Sequence, residues 1–116
     1  MALASLSNAL RIDGDRITDW STFHDVFAEA LGFPGFYGRN MDAWIDCMSY
    51  IDDPGAGMSS VHIEPGNVLA LVVENASSLK ERCPEQFNAL VECAALVNWR
   101  AVEAGGSPLI ALAFNV

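Results

Sequence analysis

The segment VLALVVE (residues 68–74) runs through six apolar residues before its first charge. A strand with one wet face would alternate apolar and polar residues, and this one does not. Uninterrupted runs of this kind belong to strands covered on both faces, as in parallel sheets packed with helices. PLIALAF (108–114) reads as a second fully apolar strand. LRIDG (10–14) alternates and closes on a turn glycine, so it reads as a first strand. Between the strands the spacing changes to that of helices. In DWSTFHDVFAEALG (19–32), Phe23, Val26, Phe27 and Ala30 recur at helical intervals. Asp19 or Ser21 can cap its start and Gly32 can stop it.

The aromatic loop FPGFYG follows, with Pro34, Gly35 and Gly38 supplying the turns. Asn40 can cap a second helix over about Met41–Ile51. On that helix Ala43, Trp44, Cys47, Met48 and Ile51 share a core side. Asp42, Asp46 and Ser49 share the opposite side, with Ile45 and Tyr50 on its margins. A short helix is expected at Ser78–Cys83. A long one then starts with Pro84 in its first position and ends at Gly105–Gly106. Its core stripe is Phe87, Leu90, Val91, Ala94 and Ala101, with Glu92, Leu96, Trp99 and Glu103 opposite. A partly buried Trp99 is expected there, and an open one would permit weak self-association. The order predicts an α/β fold with a small parallel sheet and right-handed crossovers.

A chain of 116 residues is the size of one domain, and we expect a single unit over 1–116. Residues 1–8 are expected to be a loosely packed start, and residues 52–67 (DDPGAGMSSVHIEPGN) a long loop insertion. No apolar run approaches the ~20 residues of a membrane helix. MALASLSNAL has no basic residue before its apolar stretch, so no secretory signal is read there. Fifteen acids against six bases give a net charge of −9. Direct binding to nucleic acid or to an anionic membrane needs the opposite balance, whereas basic partners are attracted. Cys47, Cys83 and Cys93 are widely spaced and His24 and His62 are single. They suggest reduced thiols in a cytoplasmic protein, with no metal site and no cofactor.

The chemistry-bearing feature is the pair Asp42 and Asp46, one helical turn apart. The window from Asn40 to Leu79 holds six acids and no Lys or Arg. General acid–base catalysis would need one carboxyl in a cleft. A hard cation would need a third ligand. An enzyme using Cys47 as nucleophile, a solvated helix face, and a surface that imitates nucleic-acid phosphates are the other readings. Such a surface pairs carboxylates with the Arg and Lys cluster of a nuclease.

RIDGDRITDWSTFHDVFAEAL and FPGFYGRNMDAWIDCMSY resemble the barstar family of ribonuclease inhibitors. The pattern Pro34-x-aromatic-Tyr37-Gly38-x-Asn40-x-Asp42-Ala43-x-x-Asp46-Cys47 carries the resemblance, which covers about residues 10–51. It implies a three-stranded parallel sheet packed with three or four helices. It also implies no catalytic residues and a basic secreted ribonuclease or nuclease toxin as partner. Asp46 matches the family's main carboxylate and Asp42 its second. Phe36, Tyr37, Gly38, Asn40, Ile45 and Tyr50 complete the implied partner-binding set. Phe36 stands in place of a tyrosine, Ile45 of a tryptophan and Tyr50 of a glycine. The family's further acid on the last helix has no fixed counterpart: keeping the core stripe in register puts Arg100 there, and other alignments put Trp99 or Glu103 nearby. A barstar-like interaction module with a non-nuclease partner is the alternative implied by those changes.

Overall fold

A computed structural model describes residues 9–116, so the expected loose start at 1–8 lies outside the described residues. Strands β1 (Ala9–Asp13), β2 (Leu69–Glu74) and β3 (Ile110–Asn115) form one parallel sheet in the order β1-β2-β3. Helices α1 (Trp20–Leu31) and α2 (Met41–Met48) separate β1 from β2. Helices α3 (Ala76–Arg82) and α4 (Pro84–Glu103) separate β2 from β3. The described residues therefore form an α/β fold, a three-stranded parallel sheet with four α-helices.

The central strand departs from the expectation of burial on both faces. Leu69, Leu71 and Val73 are fully buried, while Ala70, Val72 and Glu74 between them are only half-buried. The register aligns Ala70 with Ala9 and Ala111, and Val72 with Arg11 and Ala113. Ala9, Arg11, Ala111 and Ala113 are all exposed. Four of these six aligned positions are alanine, which exposes only one methyl group, so that side of the sheet needs little cover.

The buried side of the sheet meets α1 and α2 through Ile12, Ile17, Phe23, Phe27, Trp44 and Met48 in one hydrophobic cluster. Rings of Phe27 and Trp44 meet edge to face with centroids 5.7 Å apart. On α4 the stripe is rotated from its expected place. Val97 is fully buried, whereas Val91 is exposed. Asn98 explains the tight join of α4 to β3. Its side-chain oxygen accepts from the amides of Leu109 and Ile110, each at 2.9 Å, and its amide donates to the Ile110 carbonyl.

Helix α2 ends a turn earlier than its hydrophobic spacing predicts. The Ser49 hydroxyl donates to the Ile45 carbonyl at 2.6 Å, and Tyr50 N–H donates to the Cys47 carbonyl in a tighter turn. Ile51 still reaches the core, through that turn instead of helical continuation. The 52–67 segment includes a 3₁₀ turn at Pro54–Ala56. It is tied down where Ser60 and Val61 N–H groups donate to the Leu31 carbonyl and Ile63 N–H donates to the Ile51 carbonyl. Ser59 and Ile63 are buried there.

Candidate protein-binding face

Helix α1 is the frame on which the face is built. Asp19 caps it, accepting from Thr22 N–H at 2.8 Å, while the Thr22 hydroxyl closes the reciprocal bond of a capping box. Those bonds hold the Asp19 carboxyl below the usual carboxylate range, the backbone bond from Thr22 contributing most. At the far end Gly32 adopts a left-handed conformation, φ 65°. A Cβ there would stand 2.5 Å from the Ser60 side chain, so glycine is required twice over.

The aromatic loop returns along α1. Tyr37 N–H donates to the Pro34 carbonyl at 2.9 Å, and the Phe33 and Tyr37 rings lie 4.7 Å apart. Arg39, itself left-handed at φ 54°, reaches back to the Ser21 carbonyl at 3.0 Å and to Asp25 at 2.9 Å. Tyr37 therefore shapes the loop through its buried contacts, and Phe36 is left at the tip, 75% exposed. Gly38 is exposed, and a Cβ on it would meet Ala43 at 3.4 Å.

Asn40 starts α2, its side-chain oxygen accepting from Ala43 N–H at 2.8 Å. Asp42 in the first turn is favoured there by the helix dipole. Asp42 and Asp46 both face solvent, while Trp44, Cys47 and Met48 are buried, as their spacing predicts. Ile45 is placed differently from its expected position at the margin. It is 7% exposed and belongs to the core cluster, because α4 packs against that side of α2. Ile45 thus underlies the face. Tyr50 stands beside it, 44% exposed.

Two neighbours come from α4. Burial raises the Cys93 thiol's pKa, and the charges of Glu92 and of Asp42 on α2 raise it further. Arg100 Nη1 lies 3.7 Å from Asp46 Oδ1. The sequence left Arg100, Trp99 and Glu103 open for this place, and the pairing of Arg100 with Asp46 depends on how α2 and α4 pack. Trp99, expected to be partly buried, is 60% exposed, since Val97 takes the inward position.

Cys47 is buried, and burial followed by the nearby Asp46 charge raises its pKa, the reverse of an activated thiolate. Among the described residues no three His, Cys, Asp or Glu side chains converge to hold an ion. No described helix is long and apolar enough to cross a membrane.

A family model described as "Barstar (barnase inhibitor)" matches residues 7–112. The chain belongs to the barstar family. Over 44 residues it is also 41% identical to a Bacillus subtilis (strain 168) protein named "Putative ribonuclease inhibitor YrdF". That match covers 37% of this chain and 48% of the relative, so the chain spans about half of the relative's length. The barstar match extends well past the loop and second helix, through α4 and into β3.

Proposed function

We propose that this protein is an inhibitor or immunity protein that binds a basic secreted ribonuclease, or a related nuclease toxin, inside the cell that makes it. The observation that carries this reading is the placement of Asp42 and Asp46. Both are exposed on a short helix whose start is capped by Asn40 and whose other side is locked in the core. Carboxylates held in this way can take the place of substrate phosphates without losing much conformational freedom on docking. They would form charge-assisted bonds with the cations that a nuclease uses for phosphate. Phe36 would supply the apolar anchor at one side and Tyr50 at the other, with Gly38 allowing close approach and Tyr37 and Ile45 fixing the shape beneath.

The protein has no catalytic role in this reading and needs no cofactor. Inhibition follows from covering the active site one to one. The test is inhibition of barnase, the nuclease named in the family description, by the wild type and by an Asp42→Ala/Asp46→Ala variant. Loss of inhibition together with a shallower salt dependence is expected. An unchanged affinity would overturn the reading. A second reading, a barstar-fold module with a non-nuclease partner, is favoured by one observation. Asp46 already has a cation beside it in Arg100. Capture of a non-basic partner that ignores the double variant would select that reading.

A further inference from the structure

We propose that Arg100 determines which nucleases this face accepts: it admits those with an acidic side chain beside their phosphate-binding cations and turns away those that present cations alone. The inference rests on the inhibitor reading above.

The charge map carries the argument. The chain has six Lys and Arg residues. Arg11 pairs with Glu74, Arg16 with Glu29, Arg39 with Asp25 and Arg82 with Asp15. Lys80 stands over the Phe87 ring. Arg39 stands in the loop before α2 but turns back onto Asp25 of α1, and the other four contacts involve the sheet, α1 or α3. Arg100 is the cation that pairs onto α2, and it does so at Asp46. Its side chain is about half exposed and lines a shallow cavity of about 230 Å³ with Ser49, Tyr50, Val97, Ala101 and Leu109. That cavity opens beside the proposed contact surface, so a partner seated on Asp46 would also cover Arg100.

In the free protein the pair is solvated and weak, so it is no obstacle to opening. Docking changes the balance. A partner cation that takes over Asp46 leaves the Arg100 guanidinium without its carboxylate. If the surface above it carries only cations, two like charges face each other with water removed, and the complex is penalised. If that surface carries a carboxylate, Arg100 pairs with it and both acids and bases are matched. A nuclease that uses a carboxylate as general base has such a group close to its phosphate site. Arg100 is thus a repulsive element against one kind of partner and an attractive one for another, which is how specific interfaces discriminate.

The test displays a catalytically inactive barnase library, randomised around the active-site rim, and sorts it separately on four versions of the full chain. The baits are wild type, Arg100→Glu, Arg100→Gln and a control, Arg16→Glu, which changes the net charge away from the face. Rims selected on wild type and on Arg16→Glu are expected to gain an acidic residue. That residue should be absent from rims selected on Arg100→Glu and rarer on Arg100→Gln. Moving a wild-type-selected rim to Arg100→Glu should weaken binding at least tenfold. The same rim charges on all baits, only basic rims on wild type, or no binders on wild type would overturn the proposal. Sorting on Asp42→Ala/Asp46→Ala separates the two levels of inference. Unchanged binders there defeat the inhibitor reading itself. Lost binders there, with charge-blind results at Arg100, defeat this inference alone.

Discussion

The Tyr37 hydroxyl lies 2.6 Å from His24 Nδ1, joining the tip-bearing loop to the middle of α1. Burial lowers the His24 pKa, the Arg39 charge lowers it further, and Asp25 opposes them in part. Burial also raises the Tyr37 pKa, with the Cys47 thiol adding to it. A neutral imidazole and an intact phenol result, and the phenol O–H can donate to Nδ1. The folded state then binds a proton at His24 less readily than the unfolded chain. This contribution to stability is fully present above the ordinary histidine value near ~6.5 and is lost as pH falls through the lower folded value. Denaturant midpoints measured from pH 8 to 5 should fall at the acid end. The His24→Gln variant should show a smaller fall, and an identical slope would refute this assignment.

Gly32→Ala should destabilise the fold. The left-handed backbone alone costs a non-glycine residue about 1–2 kcal/mol. The new methyl would also press on Ser60, whose N–H is bound to the Leu31 carbonyl. Urea titration should show a lowered midpoint, together with faster amide exchange at Ser60 and Val61. No change in exchange there would mean that the loop is not anchored at this point.

Asn40→Ala removes the α2 cap and should lower stability by about 1 kcal/mol, as cap deletions do. Asn40→Asp keeps an acceptor for Ala43 N–H and should recover most of that loss. Equal stability of the two variants in urea would contradict the capping role.

Phe36→Ala separates binding from folding. The ring is the most exposed aromatic of the described residues, so its removal should leave the thermal midpoint within about 3 °C. If the loop tip is an anchor, affinity for an inhibited nuclease should fall by about 2 kcal/mol. Calorimetric titration that gives wild-type affinity would remove Phe36 from the contact set.

Cys47 should behave as a core residue. Its thiol is buried and its pKa is raised, so a thiol reagent at pH 8 should label it slowly in the native protein and quickly in denaturant. Cys93 is half-buried and should react first. Rapid native labelling of Cys47 would reopen the case for a nucleophile.

Much of this molecule is written in short-range pattern. The strand runs, the capping residues Asp19 and Asn40, the stop at Gly32, and the outward turn of Asp42 and Asp46 follow from periodicity and local hydrogen bonding. Those features depend on neighbours within four residues, so the sequence alone determines them. The packing of one element on another is a different matter. Ile45 moved from margin to core because α4 lies against it. The α4 stripe shifted from Val91 to Val97 because β3 follows through the Asn98 clamp. Ala70 and Val72 of the central strand proved only partly covered, since their neighbours on that side of the sheet are mostly alanine, which needs little shelter. The Asp46–Arg100 pair joins residues that are far apart in sequence, on helices separated by β2 and α3. Tertiary structure alone brings those two charges within reach of each other, because only helix-on-helix packing sets the distance between them.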